Sequence, residues 1–557
     1  MTRTERDSLS PDQFTRLSAY GAPERVHMGQ VLSRSGDRHY DLFLVLSGSV
    51  DVVCDATGPD AERIISTRGA GDFTGELGML TGQSVFLTLR AKEPTEVVRI
   101  GADQFRAALS EQADVADVLV YAFGERRRDI LQMVRSVAEI IGVSDCADHR
   151  ALRTFAARQQ LPHTSVDADS IAGQALMVAR GLNVADLPVA VVSDRVLRRA
   201  TPNDLASVLG LTYTPGSHDV DLVVIGAGPA GLAAAVYAAS EGLVTALFDG
   251  TGVGGQAATS SRIENYLGFP GGVGGEALAQ SAALQALKFG AQLYTPCEVA
   301  TLSASPPAPA HPSSSDSPED CAGTILTLRD GSQLRARAAI LAIGAHYRRL
   351  DVPRRDHFER RTQIRYSATE LDARDCRSEP VTVVGGANSA GQAALFLASK
   401  GSRVDLVVRA ATLEARMSLY LARRITAHPL IRVWVEAEVV DLLGADTLEA
   451  VTIRTSDGAP ETRESRLVFC LIGAVPDTDW LTGLARDESG FILTDTRIRR
   501  VDGDPDALPF QTSSPRIFAV GDVRAGSMKR VASAVGEGAS AVASVHRLFA
   551  ADRATAR

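Results

Sequence analysis

The sequence predicts a multidomain chain. It consists of a small all-β barrel or jelly roll, a compact mixed α/β unit, and two doubly wound parallel α/β units. Three observations carry this. Short alternating strands punctuated by glycine fill residues 1 to about 100. Residues 136 to about 213 run strand, helix, strand, helix, strand, helix. Two strand–glycine turn–helix signatures follow, one at Asp221–Ala235 and one opening at Val381. The length agrees, since 557 residues at ~150 per domain give three or four domains.

Composition bounds the function classes. Hydrophobic residues are 45% of the chain, enough for several cores, and the net charge of −9 argues against a nucleic-acid partner, which needs a basic footprint. No apolar run approaches the ~20 residues of a membrane span. The start, Met1-Thr-Arg-Thr-Glu-Arg-Asp7, lacks the apolar region of a secretion signal. The six cysteines, Cys54, Cys146, Cys297, Cys321, Cys376 and Cys470, are scattered and none forms Cys-x-x-Cys. This argues against a disulfide framework or a cysteine zinc site. Reduced thiols, no metal and a cytoplasmic location are the expectation.

The first glycine signature is the most informative stretch. Leu222–Ile225 reads as a buried strand. Gly226, Gly228 and Gly231 follow in the spacing G-x-G-x-x-G, then an alanine-rich helix that stops at Gly242, then a strand, Val244–Phe248, ending on Asp249. Gly226 allows the tight turn, Gly228 lets backbone approach a pyrophosphate, and Gly231 lets helix pack on strand. The helix start at Pro229 and Ala230 presents backbone N–H groups and the positive end of the dipole. Asp249 stands where a carboxylate accepts from ribose hydroxyls.

Toward the N-terminus, strands are expected at Gln30–Leu32, Leu42–Leu46, Val50–Val53 and Arg63–Ile65, with helix from Ala102 to about Val134. Gly75-Glu76-Leu77-Gly-Met-Leu80 after Phe73, and Leu89-Arg-Ala91, resemble the phosphate-binding cassette of cyclic-nucleotide-binding domains; Tyr40–Gly48 resembles the strand and turn before it. The resemblance implies a ribose contact at Glu76 and a phosphate held by a helix N-terminus and an arginine. The chain departs at that arginine: Val85 and Phe86 stand where the family has Arg and Ser, and Arg90 lies further along. A cyclic nucleotide or related effector is one reading; a degenerate sensor serving as an interaction module is the other.

In the second unit, strands are expected at Ala138–Val143, Thr164–Asp167 and Leu187–Val192, with helices at His149–Gln160, Ala172–Arg180 and Asp204–Leu209. This order, with Pro188 opening the third strand, resembles the thioredoxin/glutaredoxin fold. The resemblance implies a cis proline and a nucleophile at Cys146, where a helix N-terminus favours thiolate. Cys146-Ala-Asp-His149 has histidine for the second cysteine, and Asp145 and Asp148 oppose thiolate formation. A redox thiol and a vestigial docking unit are both open.

Beyond the polar linker Thr214–Asp219, Gly254-Gly255-Gln256 and Arg262–Pro270 join the glycine signature in resembling low-molecular-weight thioredoxin reductases and their flavoprotein relatives. The resemblance implies FAD, held by Gly226, Gly228, Pro229, Ala230, Gly231, Asp249, Gly255, Gln256 and Asn265. Val299 falls on the strand that meets the adenine, Ala342 and Gly344 on the returning strand Ile340–Ala345, and Gly521, Asp522, Arg530 and Val531 on the closing segments, with Asp522 on the ribityl chain. The helix expected over Met528–Gly538 would aim its N-terminus at the flavin pyrimidine. Ser303–Ala322, rich in proline and serine, is expected to be a flexible insertion.

In the second signature Gly385, Ala387 and Ala390 take the places of the three glycines, with Asn388 and Ser389 between them. The strand Val404–Val408 ends in Arg409, which suits a 2′-phosphate, so NADPH is the expected donor, with Arg416, Ile472 and Gly473 beside it. A solvated arginine is the bland alternative. Where thioredoxin reductases carry Tyr-Cys-Ala-Thr-Cys, this chain has Tyr366-Ser367-Ala-Thr-Glu370. Ser367 is too weak a nucleophile for thiol exchange and Glu370 cannot resolve a mixed disulfide.

The full expectation is therefore a β-jelly-roll of cyclic-nucleotide-binding type (1–134), a thioredoxin-like α/β unit (136–213), and two Rossmann-like dinucleotide-binding domains. These are an FAD domain in two segments (219–350 and 475–557) and an NAD(P)H domain (351–474). Three functions compete: NADPH-to-FAD reduction of an unidentified external acceptor, disulfide reduction relayed through Cys146, and a non-catalytic redox or nucleotide sensor. The catalytic candidates are Cys146, Ser367 and Glu370. A homodimer is implied by the reductase resemblance.

Overall fold

A computed structural model describes residues 8–37, 41–54, 62–75, 85, 87–133, 138–143, 146–159, 161–192, 195–209, 211, 219–260, 263, 265–305, 323–361, 363–366, 368, 373, 376, 378–498 and 507–555. The N-terminal part opens with α1 (Pro11–Ser18), whose Ser10 and Gln13 form a capping box. Two antiparallel sheets follow. One holds β1 (Ala22–Val26), β7 (Thr95–Ile100) and β3 (Leu42–Ser47) in that order; the other runs β2 (Val31–Ser33), β6 (Thr88–Ala91), β4 (Ser49–Cys54) and β5 (Arg63–Gly69). Strand β3 is buried on both faces. Phe43 and Val45 pack between the sheets with Val50, Leu89 and Val97, while Leu42 and Leu44 meet the helices behind. The single helix expected from Ala102 is two, α2 (Ala102–Glu111) and α3 (Ala113–Met133). Gln112 leaves the helical region at φ −120°, ψ 76° and breaks the run.

The next unit runs β8 (Ala138–Gly142), α4 (Ala147–Arg158), β9 (His163–Asp167), α5 (Ile171–Ala179), β10 (Val189–Val192), β11 (Arg195–Leu197) and α6 (Pro202–Val208). The sheet order is β11-β10-β8-β9, with β8 and β9 parallel and β10 antiparallel to both neighbours. The Leu187–Pro188 bond is cis. Strand β11 has no counterpart in the sequence reading, because three residues are too few to show a period.

A mostly parallel sheet then forms from β12 (Val220–Ile225), β13 (Thr245–Phe248), β14 (Gln292–Tyr294), β15 (Val299–Ser305), β16 (Gly323–Leu328) and β17 (Gln333–Leu341). Its order is β14-β13-β12-β17-β16-β15. Helices α7 (Pro229–Ser240) and α8 (Gly275–Lys288) cover one face through alanines, among them Ala234, Ala238, Ala283 and Ala286. Small residues let helix approach sheet closely. Residues 306–322 of the predicted insertion lie outside the described residues.

The chain crosses through β18 (His346–Tyr347), passes α9 (Arg355–Arg360) and β19 (Ile364–Arg365), and builds a second parallel sheet. Here β20 (Pro380–Val384), α10 (Asn388–Ser399), β21 (Arg403–Val407), α11 (Leu419–Thr426) and β22 (Ile431–Trp434) alternate. An antiparallel trio, β23 (Ala437–Leu443), β24 (Ala450–Thr455) and β25 (Glu461–Glu464), precedes the inner strand β26 (Leu467–Cys470). The parallel order is β19-β26-β20-β21-β22. The chain returns through β27 (Ala474–Val475), which pairs antiparallel with β18, so both connections between the two parallel sheets form one ribbon. Strand β28 (Ile517–Ala519) rejoins the first sheet beside β17, and α12 (Val531–Thr555) packs along α7. The helix begins at Val531, not Met528, since Arg530 N–H turns back to Met528 O before the helical ladder starts at Ala534.

The parts touch through named side chains. Leu287 of α8 is buried in the core of the N-terminal part, with Leu284 packed against it, and Lys288 pairs with Asp117 of α3. Leu87 of the β-sandwich joins the core of the mixed α/β unit. Among the described residues no helix is long and apolar enough to cross a membrane.

Candidate active site

The glycine turn after β12 is closed by backbone. Gly226 has φ +104°, and a Cβ there would overlap Ala342 O; one at Gly231 would overlap Gly226 O. Gly228 is the N-cap of α7, and no side chain caps the first-turn N–H groups. Gly255, at φ +53°, lies against Gly228, so that any side chain at 255 would crowd the Gly228 Cα. The result is a cradle of bare backbone with a helix dipole at its base, which fits a pyrophosphate. Asp249 ties the cradle together. Its Oδ2 accepts from Ala227 N (2.8 Å), and its Oδ1 accepts from Thr251 N (2.8 Å), Thr251 Oγ1 (3.0 Å) and Gly252 N (2.9 Å). Its carboxylate thus ties the glycine turn to the loop after β13.

The other residues expected at the flavin site come from several separate elements. Gln256 Nε2 donates to Ala345 O, next to Gly344 at φ +69°; Val299 opens β15, and Asn265 is exposed on the loop before Phe269. Asp522 follows Gly521, whose φ is +71°. Burial raises the Asp522 carboxyl, against the nearby Lys529, whose ammonium donates to Asp522 O at 2.7 Å. Arg530 is exposed and Val531 half-buried at the start of α12. Sequence reasoning missed Glu537. From α12 it accepts from Gly521 N (2.7 Å), Arg524 Nε (3.1 Å) and Nη2 (2.7 Å), and Ser527 Oγ (2.8 Å), and so holds the whole 521–527 segment. Its only sequence signal was its place between two glycines, of which Gly538 lets α12 cross the start of α7.

The second cradle repeats the plan. Gly385 has φ +146° and lies against Leu471 O, Ala387 caps α10 with no side-chain bond, Ser389 is exposed and Ala390 is buried. Asn388 Oδ1 accepts from Ser418 N (2.8 Å), so this side chain holds the loop before α11. Arg409 and Arg416 are exposed beyond β21, and Ile472 and Gly473 flank the crossing ribbon. Ser367 and Glu370 lie outside the described residues. Their neighbour Tyr366 stacks on Tyr347 with centroids 5.7 Å apart and donates to Glu359 at 3.1 Å.

In the mixed α/β unit Cys146 is the N-cap of α4 and half-buried. His149, at the position a second cysteine would take, is buried. Its Nδ1 lies 3.1 Å from Val143 O and its Nε2 3.0 Å from Ser165 Oγ, and burial lowers its basicity. Both nitrogens are satisfied, so His149 is a core residue. A hollow of about 240 Å³ opens beside Asp148, Ala151 and Pro188. In the N-terminal part Glu76 and Leu77 lie outside the described residues, and Gly75 O accepts from Arg126 of α3 at 3.3 Å. Val85 is buried, and Arg90 is paired with Glu62 (3.2 Å) on the sheet. Among the described residues no cluster of His, Cys, Asp or Glu could hold a metal.

Comparison with known proteins agrees with these cradles. Residues 220–538 match the pyridine nucleotide-disulphide oxidoreductase model, and residues 23–112 match the cyclic nucleotide-binding domain model. The thioredoxin reductase of Treponema pallidum is 32% identical over 326 residues, covering 58% of this chain and 95% of the relative. That of Chlamydia trachomatis is 31% identical, covering 59% and 98%. The solved thioredoxin reductase of Lactococcus lactis is 25% identical, with 59% and 99% covered and a TM-score of 0.49. The first model spans more than half of the chain, and the chain belongs to the pyridine nucleotide-disulphide oxidoreductase family. It is an FAD-dependent NAD(P)H oxidoreductase of thioredoxin-reductase-like type, joined to a cyclic-nucleotide-binding domain.

Proposed function

We propose that this chain takes electrons from NADPH through FAD and delivers them to an external acceptor, without a dithiol in the reductase part. The observation that carries this is the segment Tyr366–Glu370, which has no sulfur where the related reductases place two. Bound FAD supplies the two-electron chemistry, accepting hydride and releasing electrons singly or in pairs. The chain's own residues bind and orient. The uncapped start of α7 and the Gly228–Gly255 approach hold the pyrophosphate, Asp249 the ribose, and the segment pinned by Glu537 presents Asp522. The start of α10 takes the second dinucleotide, and Arg409 the 2′-phosphate that selects NADPH. The ribbon of β18 and β27 is the pivot on which the two cradles turn toward each other.

A second reading, disulfide reduction through Cys146, draws support from the β9-β8-β10-β11 topology, which suits a thioredoxin-like fold, and from the hollow beside Pro188. It is disfavoured by where α4 docks. The end that meets the flavin-type sheet is Arg158, while Cys146 lies at the other end, twelve residues and about 18 Å along the helix. Regulation by a cyclic nucleotide at Gly75–Leu77 and a homodimeric assembly complete the proposal.

Anaerobic NADPH reduction of the purified protein, followed by a panel of quinone, one-electron and disulfide acceptors, tests it. Bleaching of the flavin and turnover with a non-thiol acceptor are expected, unchanged in Cys146→Ser. Turnover confined to disulfides and lost in Cys146→Ser would favour the relay; no NADPH consumption would leave the sensor. We further expect Arg409→Ala to raise KM for NADPH roughly tenfold or more and to leave KM for NADH nearly unchanged. Equal effects on both would remove the 2′-phosphate role.

A further inference from the structure

The mixed α/β unit reaches into the loop that frames the first cradle. Arg158, at the C-terminal end of α4, donates from Nη1 to Thr251 Oγ1 at 3.0 Å and from Nη2 to Gly255 O at 3.4 Å. The same Thr251 hydroxyl donates to Asp249 Oδ1, and Asp249 Oδ2 accepts from Ala227 N in the glycine turn. Guanidinium, hydroxyl, carboxylate and backbone amide thus form one unbroken chain from one folded unit into the other. Hydrogen bonds in series polarise one another, so the charged end strengthens the rest. Beside it, Gln159 Nε2 donates to Thr295 Oγ1 at the end of β14, and Gly252 packs its open face on the Arg158 stem.

The loop needs such support. Gly252, Gly254 and Gly255 all have positive φ (+138°, +107° and +53°), so the segment is rich in conformations that only glycine adopts freely. Left unpinned it would lose much freedom whenever a ligand ordered it. Arg158 clamps both ends of this stretch from outside.

We propose that Arg158 is a positioning residue for FAD, and that the mixed α/β unit acts as an external brace of the adenosine–pyrophosphate half of the flavin site. This rests on the flavin reading of the first cradle. Arg158 touches no ligand; it lowers the ordering cost of the Asp249–Gly255 loop before FAD arrives. Coupling is reciprocal, so FAD binding also tightens the docking of α4 on that loop.

The test uses the full-length chain stripped of FAD and titrated back, with binding read by flavin fluorescence quenching. Arg158→Ala is expected to weaken FAD binding about tenfold, with Arg158→Lys between it and wild type. Arg153→Ala, exposed on the same helix, should bind as wild type. Thr251→Val cuts the chain from the other side, and the Arg158→Ala/Thr251→Val double variant should be no weaker than the worse single variant. The apo proteins should melt at the same temperature, while the FAD-induced rise in Tm is smaller in Arg158→Ala. Equal FAD affinity in wild type and Arg158→Ala would overturn the proposal, as would fully additive effects at 158 and 251. If Arg158→Ala disrupts α4, Thr251→Val alone decides, and wild-type affinity in it overturns the brace. Failure of the wild-type chain to bind FAD at all would instead remove the flavin reading.

Discussion

Glu537 shows how a single carboxylate can hold a site without being part of its motif. It neutralises Arg524, whose guanidinium it keeps firmly protonated, and it anchors Gly521 N–H and Ser527. Both side chains are largely buried. Removing one partner of such a pair strands the other charge, so Glu537→Ala is expected to destabilise the chain by about 3 kcal/mol. It should also speed FAD loss, measured by thermal unfolding and by flavin released on gel filtration. Cys470 sets a pH dependence. It is 1% exposed, and burial pushes its thiol up to about 11. The unfolded thiol titrates near 8.5, so the folded state holds its proton more tightly across the interval between. Stability from this group is present below about pH 8.5 and is lost as pH rises toward 11. Tyr366, raised by burial and by Glu359, acts in the same direction. The difference between wild type and Cys470→Ala in alkaline melting isolates the thiol, and a difference independent of pH would contradict this assignment.

Elements were legible where their period was long or their punctuation strong. The strand, glycine turn and helix at 220–240 follow from apolar runs and from Gly226 and Gly231, whose missing side chains are each required by a specific backbone oxygen. The crossing of α12 over α7 was not legible, because a glycine inside a long helix carries no signal of what approaches it. Gly538 is where Ala230 O comes closest, and any Cβ there would overlap it. Gly538→Ala is therefore expected to push α12 off α7, costing more than the ~1 kcal/mol a Gly-to-Ala change returns in helix propensity. A lower Tm and weaker flavin retention would show this; a stabilised variant would count against the packing argument. The break at Gln112 was missed for a related reason. Residues on both sides favour helix, and only the packing of α2 and α3 on the β-sandwich sets the turn.

At the scale of the whole molecule, the N-terminal sandwich is not a loose appendage. Leu287 of α8 is 5% exposed within the sandwich's helical core. Leu287→Ala is expected to cost about 2–4 kcal/mol and to free the sandwich from the flavin-type sheet, seen as faster limited proteolysis than in wild type. Unchanged protease resistance would mean that the two parts do not depend on this contact. Through Leu287 and Lys288 at one surface and Arg158 at another, both N-terminal units rest on elements that frame the same cradle, α8 and the Asp249–Gly255 loop.

By itself the sequence determined the local chemistry. The two glycine turns, their helices, the residue after each second strand and the absence of sulfur at Tyr366–Glu370 are all properties of short stretches, governed by sterics and periodicity within a few residues. Only the tertiary structure decided the long-range pairings. It joins Arg158 to Thr251, Glu537 to Gly521 and Leu287 to the sandwich core, and it fills both nitrogens of His149. Each of these depends on how separate surfaces meet. A contact between separate elements, whether 16 positions apart as for Gly521 and Glu537 or 93 apart as for Arg158 and Thr251, leaves no trace in the periodicity of either segment.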